Sequence, residues 1–471
     1  MDFTTGQYVQ LIIALFSGVA IFSIAYIAPV RYIVSFIVIT IPFQPITSIY
    51  GSINMVLIYL AAVALLIRGE IRLFPLLWAV MGILLAYALS LSQTLGQTYF
   101  DHFLYLVSIG SNFLLFYMVY NYFRKDGDLG YALNLFVWVA TVVNIYFLIS
   151  MLVGFDHVSF MGIEELSMGQ NIESLQRLVG PFNAPGTNAE FLAIQILFLG
   201  YILLYERRKF RRLFLFTMLL AAFGFLVATG SRGGIVALFA GAVLFLFLFR
   251  KELGVAGLAR AVVAAFALGL IAVMITQFTQ FNVLFDRLVG TEFEGIVPET
   301  RVGAFEHALE RIKDKPVLGH GPRIILLHEE ERRIPGYQPF GGYPHSLYLF
   351  LLYTVGAVGL VAYIIFFVAL LKRWSGVLNT STQDAVLRDI PKLAIVLMVV
   401  FLFSQFRIEF LRFILNDYQN YSFALWGTLL AFSDQIRSGK TPKVEKEVES
   451  TTGKSRILFR KRNTCLAGTH K

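Results

Sequence analysis

Residues 344–360 read "PHSLYLFLLYTVGAVGL", and the apolar run continues without a charge as far as Lys372 and Arg373. About twenty apolar residues cross a bilayer as a helix, and this run is longer than that. It therefore reads as a membrane span that opens at His345 and closes on a basic pair. Comparable runs recur along most of the 471 residues, of which 57% are hydrophobic and 15% charged, with a mean hydropathy of +0.70. Soluble chains carry about 25% charged residues, so the apolar surplus here has to face lipid. The runs are continuous and do not alternate, which argues against an outer-membrane barrel. The expected fold is all-α, a polytopic helical membrane protein of about 12–13 transmembrane helices with one long outward loop.

The first run, near residues 8–28, has neither a basic leader nor a small-residue cleavage site and reads as a retained span. Cys465 is the single cysteine, so an internal disulfide and a thiolate-clustered metal site are both excluded. The formal charge of +9 fits cationic cytoplasmic loops beside an anionic leaflet better than nucleic acid.

Basic residues fall into alternate loops. One set holds Arg31, then Arg68 and Arg72, then Arg124 and Lys125, then Arg207, Arg208, Lys209, Arg211 and Arg212. Arg250 and Lys251 follow, then Lys372, Arg373, Arg388 and Lys392, and finally the tail after Asp434. Placing this set in the cytoplasm gives a consistent weave with the N-terminus outside and the C-terminus inside. Short spans near 32–50 and 391–433 make the lower count equally consistent. The chain divides into N-terminal spans (1–154), central spans (155–276), the long outer loop (277–344), C-terminal spans (345–433) and a basic cytoplasmic tail (434–471). No repeat of 20–50 residues is visible.

The long loop contains "ETRVGAFEHALERIKDK" (299–315), in which Val302, Phe305, Leu309 and Ile312 recur at helical spacing before Pro316 and Gly319. Such a helix lies flat on a membrane or caps a cavity. The remaining outer loops fall near 92–101, 155–186, 230–233 and 407–418.

Charged and proton-transferring residues gather at the outer ends of the spans, where positive-inside logic expects few. "QRLVGPFNAPGTNAEF" (176–191) carries Arg177 and "ATGSRGG" (228–234) carries Ser231 and Arg232. Arg301 opens the amphipathic helix, "GHGPR" (319–323) carries His320 and Arg323, and Arg407, Glu409 and Arg412 stand near a late span. Singly, each arginine has an ordinary reading as a snorkelling or paired side chain, and His345 as a satisfied structural histidine. The "HEEE" run at 328–331 reads as a solvated charged face, since no metal-ligand spacing supports it. Together the arginines suit an anion held at the membrane boundary, because guanidinium grips phosphate oxygens with a planar fork. A lipid-linked diphosphate is the natural ligand at that depth. A histidine adds a base near neutral pH, and the combination suggests group transfer from a lipid diphosphate to a hydroxyl.

As an ordered set, "RLVGPFNAPG", "TGSRGG", "TRVGAFEHALERIKDKPVLGHGP" and "PHSLYLFLLYTVGAVGL" resemble the O-antigen ligase and polymerase-like membrane proteins, over about residues 170–370. The resemblance implies a helical lipid-donor glycosyltransferase fold and a metal-independent, inverting enzyme without a cofactor. It implies a bacterial inner-membrane protein, with the long loop and active site in the periplasm. The donor would be a glycan on undecaprenyl diphosphate. The acceptor would be lipid A core, a growing polysaccharide or a protein hydroxyl, and envelope-assembly proteins are candidate partners. By motif, diphosphate binding falls on Arg177, Arg232 and Arg301, and the catalytic base is His345. Ser231, His320, Arg323, Arg407 and Arg412 are supporting candidates on the same face. Ser346 follows the histidine where the family commonly has asparagine, and "NAPGTN" stands for a more usual Asn-Pro-Asn. A ligase acting on lipid A core is the leading expectation and a polymerase using the same donor the alternative. A lipid-linked glycan transporter fits less well, because ionisable groups are scarce at the span centres and no matching halves are visible. A non-catalytic scaffold leaves the arginines unexplained.

Overall fold

A computed structural model describes residues 5–43, 46–48, 51–94, 99–153, 178, 180–182, 185–254, 257, 293–294, 297–322, 346–380, 382, 384–406 and 417–439. Thirteen α-helices are defined among them. They are α1 (Thr5–Ile27), α2 (Val30–Thr40), α3 (Ile53–Ile67), α4 (Leu77–Leu91), α5 (Tyr99–Asp126), α6 (Leu129–Val153), α7 (Pro185–Tyr205), α8 (Lys209–Ala228), α9 (Arg232–Leu248), α10 (Glu299–Asp314), α11 (Leu347–Ser375), α12 (Ala385–Ser404) and α13 (Asp417–Arg437). Two minimal antiparallel pairs, Ile46–Ser48 with Gly51–Ser52 and Phe293–Glu294 with Val297–Pro298, complete the described elements. The fold is all-helical. Five described helices are long and apolar enough to cross a membrane, as expected of a polytopic membrane protein. The stretch near 32–50 contains the eleven-residue α2, which rises roughly 16 Å, about half a hydrocarbon core. The stretch 391–433 belongs to two helices, α12 and α13.

Bundle packing follows from small and aromatic side chains, as expected where lipid leaves no hydrophobic drive between helices. Helix α5 lies along α13, where Gly427 brings the two backbones together at Phe116. Their interior bonds include Asn112 Nδ2 to Gln419 Oε1, 2.8 Å, Tyr120 Oη to Asp434 Oδ2, 2.8 Å, and Gln435 Nε2 to the Phe123 carbonyl, 2.8 Å. Helix α9 buries the stripe Gly234, Ala237 and Gly241. A side chain at Gly234 would run into Ala189 of α7, and one at Gly241 into Leu197 of α7 and Val400 of α12. Three helices thus meet on residues too small to keep them apart.

Helix α11 is interrupted at Gly356, whose φ is 67° and ψ −170°. Unpaired backbone groups are expensive inside a membrane protein, and residues 316–321 satisfy them. The His320 and Gly321 amides donate to the Tyr353 and Thr354 carbonyls, both at 3.0 Å, while the Ala357 and Val358 amides donate to the Pro316 and Val317 carbonyls at 2.9 and 3.3 Å. Ser90 Oγ of α4 adds a bond to the Thr354 carbonyl, 2.7 Å. The turn after α10 is therefore joined to the broken helix.

That docking sets which face of α10 is buried. His307 and Ala308 are buried, whereas Leu309 is 49% exposed. Leu309 is one of the four apolar residues that recur at helical spacing. With residues 316–321 anchored on α11, His307 faces Tyr353.

Basic and acidic side chains pair where the alternate-loop pattern groups them. Lys125 meets Glu70 at 2.6 Å, Arg211 meets Glu206 at 2.9 Å, Lys392 meets Glu252 at 2.7 Å and Arg373 meets Asp434 at 3.2 Å. Arg68 donates to the Ala28 carbonyl at 2.6 Å, closing the end of α1. The opposite helix ends carry the motifs.

Candidate active site

Helix α8 ends at Thr229, and Gly230 turns the chain with φ 60°. Ser231 follows in extended geometry and caps α9, its hydroxyl accepting from the Gly234 amide at 3.4 Å. Arg232 is the first residue of α9 and is half-buried. A helix N-terminus carries partial positive charge and exposes backbone donors, so a guanidinium there is opposed by its own helix. An anion between the two would be attracted by both, which makes this an arrangement suited to phosphate oxygens.

The turn that follows Arg177 in sequence reaches the same place. The Leu178 amide donates to the Ala228 carbonyl at 3.1 Å, and the Phe182 amide to Asn188 Oδ1 of α7 at 3.3 Å. Gly180 leaves room for Asn188 and the Phe147 ring, which a side chain would overlap. The "RLVGPFNAPG" and "TGSRGG" segments are thus adjacent in space.

The start of α11 is fastened to the end of α12. Ser346 is its extended N-cap and is buried, and the Leu347 amide donates to the Gln405 carbonyl at 2.8 Å. Tyr348 donates to the Leu402 carbonyl at 2.9 Å and its ring lies 4.5 Å from that of Phe406. Gln405 in turn donates from its side chain to Glu190 of α7 at 2.8 Å. Since α7 and α12 both touch α9, the helix ends bearing Arg232, Glu190 and Ser346 belong to one helix cluster.

His320 has a different setting. It is buried, its Nε2 lies 2.7 Å from the Arg311 carbonyl and its ring is 5.3 Å from Tyr353. Gly321 sits where a side chain would press on His102 and Thr94. Lys315 donates to the Gln93 carbonyl at 3.3 Å, bringing the loop after α4 to the same end.

Of the residues singled out from sequence, Ser231, Arg232 and His320 are described in full. Arg301 stands in the first turn of α10, and its side chain lies outside the described residues. Arg177, Arg323, His345, Arg407, Glu409 and Arg412, with the "HEEE" run, also lie outside them. The sequence reading passed over Glu190, Gln405, His102 and His307. Glu190 carried a usable signal, as a lone carboxylate inside an apolar helix. Gln405 carried none, since only tertiary contact reveals its partners. Among the described residues no group of three or more His, Cys, Asp or Glu is placed to hold a metal ion.

No curated protein matches this chain in sequence. A family model described as O-antigen ligase, whose members are membrane glycosyltransferases of the ligase and polymerase type, matches residues 216–364. The match takes in most of α8, the Ser231–Arg232 turn, α9, α10, the docked turn and α11 beyond its break. Over residues 216–364 the chain is thus similar to the O-antigen ligase family.

Proposed function

We propose that the protein transfers a glycan from undecaprenyl diphosphate to a hydroxyl on lipid A core, at the periplasmic face of a bacterial inner membrane. The observation that carries this reading is Arg232 on the capped N-terminus of α9, within the matched segment and beside the turn that follows Arg177. Two sources of positive potential meet at a helix end, which suits the diphosphate of a lipid carrier.

In the proposed reaction the acceptor oxygen attacks the anomeric carbon and its proton passes to His345. The bond from that carbon to the diphosphate oxygen breaks, and the electron pair leaves on the diphosphate. Arg177, Arg232 and Arg301 neutralise the charge that grows there, a role magnesium fills in many nucleotide-sugar enzymes. One displacement inverts the anomeric centre. General-base assistance of this kind contributes roughly a hundredfold to ten-thousandfold. Helix α10 would close over the donor, with envelope-assembly proteins delivering substrate or receiving product.

The test is a deletion strain, complemented with wild type, His345→Ala or Arg232→Ala, assayed for surface glycans. Long glycan absent from lipid A core, with undecaprenyl-linked polymer accumulating, identifies a ligase. Single repeat units on core and carrier identify a polymerase, which has the same donor and face. Normal glycans in the deletion strain overturn transferase activity. Normal complementation by either variant removes that residue from the mechanism.

A further inference from the structure

Glu190 has no part in the reaction as drawn, yet it is a carboxyl group buried in the helical bundle at 1% exposure. It stands on α7, little more than one turn from Pro185, with the buried Tyr418 and the half-buried Tyr348 nearby. An ionisable group inside a membrane bundle is costly to keep and marks a working position more often than filler. Its Oε1 accepts from Nε2 of Gln405 at 2.8 Å. Gln405 is the C-cap of α12, and its carbonyl accepts the Leu347 amide at 2.8 Å. That amide is the first backbone donor of α11, which a helix cannot satisfy within itself.

One glutamine therefore joins three helices, with its side chain on α7, its backbone at the end of α12 and its carbonyl holding the start of α11. Ser346 makes no side-chain cap bond for α11, so the described backbone anchor at this helix start is Gln405. His345 is the next residue along the chain from Ser346. Whatever fixes the backbone of 346 and 347 fixes the point from which His345 departs.

We propose that Glu190 is a positioning residue for the transfer reaction, holding Gln405 so that the Ser346–Leu347 backbone presents His345 at one place. This rests on the reading of His345 as the base. Glu190 supplies an acceptor oxygen and touches neither donor nor acceptor. Without it the bond from the Gln405 amide to α7 is lost, and the end of α12 that carries the start of α11 is no longer tied to α7. Misplacement of a reacting group by about 1 Å costs on the order of a hundredfold in rate.

The experiment uses purified full-length protein in lipid nanodiscs, with an undecaprenyl-diphosphate glycan and a lipid A core acceptor. Wild type and His345→Ala are measured first, and transfer by wild type alone establishes the underlying reading. Glu190→Leu is then expected to lower kcat about tenfold to a hundredfold, with donor KM within about twofold. Glu190→Gln keeps an acceptor oxygen in the same place and should restore kcat to within about threefold of wild type. Gln405→Leu should match Glu190→Leu, and the double variant should be no slower than either, because both act along one path. If Glu190→Leu does not accumulate in the membrane, Gln405→Leu and Glu190→Gln carry the comparison. Wild-type kcat in Glu190→Leu or Gln405→Leu overturns the proposal while the transferase reading stands. So does a loss in Glu190→Gln as deep as in Glu190→Leu, which would give the charge itself a role. Inactive wild type, or active His345→Ala, brings down the reading and the proposal together.

Discussion

Gly319 and Gly356 meet backbone to backbone, so that a side-chain carbon on either would strike main-chain atoms around the other. Both have φ of 67°, a backbone region that L side chains enter at a cost of roughly 1–3 kcal/mol. The contact joins the turn after α10 to the break in α11, and the four amide bonds beside it depend on that approach.

Gly356→Ala and Gly319→Ala should each destabilise the protein by about 3 kcal/mol or more, as strain and steric overlap add. The midpoint of thermal unfolding in detergent is the measurement. An unchanged midpoint in either variant would show that the turn is not docked on α11 in the folded protein.

Gly241 makes a separate case, because the atoms it would meet are the side-chain tips of Leu197 and Val400 and not backbone. Gly241→Ala should cost about 1–3 kcal/mol, the range for overpacking a close-packed core. Shortening the obstructing side chain with Val400→Ala should recover part of that loss. Strict additivity of the two substitutions in thermal unfolding would separate α9 from α12 at this point.

These close contacts mark what a sequence discloses about such a chain. The apolar runs and their basic ends are local chemistry, and α8, α9, α11 and α12 follow from them. Arg232 was legible for the same reason, as a charge where the pattern expects none. The break at Gly356 was not, because Gly356 and Gly359 read as ordinary small residues of a membrane helix. What interrupts α11 is a turn some forty residues earlier. Leu309 illustrates the same limit, since periodicity defines an apolar stripe but the docked turn decides which way it faces. Glu190 showed a charge in the wrong place, and only Gln405 and Leu347 give it a role.

At the other end of the bundle Asp389 is fully buried and is held by Arg388 at 2.8 Å, Lys392 at 2.8 Å and the Tyr205 hydroxyl. Glu252 shares both cations. Lys392 is 17% exposed and Arg388 38% exposed, so the two cations differ in what they contribute to Asp389. Lys392→Met should cost about 3 kcal/mol, as loss of one partner from a buried pair does. Arg388→Met should cost about 1 kcal/mol, the upper end for a solvent-screened pair. Equal losses in thermal unfolding would refute the ordering.

Two histidines of the matched segment should separate by experiment. His320 Nε2 lies 2.7 Å from the Arg311 carbonyl, an oxygen that only accepts, so this nitrogen carries the proton. The ring is buried against Tyr353, and its own backbone amide ties the turn to α11. That setting holds the turn in place and leaves Nε2 unable to take a proton from an acceptor hydroxyl. His320→Ala should therefore lower stability by about 1–2 kcal/mol through the lost bond and ring contact. Its kcat per folded molecule should stay within about threefold of wild type, whereas His345→Ala should lose roughly a hundredfold or more. Transfer assays normalised to the folded fraction make the comparison. A collapse of kcat in His320→Ala with an unchanged unfolding midpoint would transfer the proposed role of base from His345 to His320.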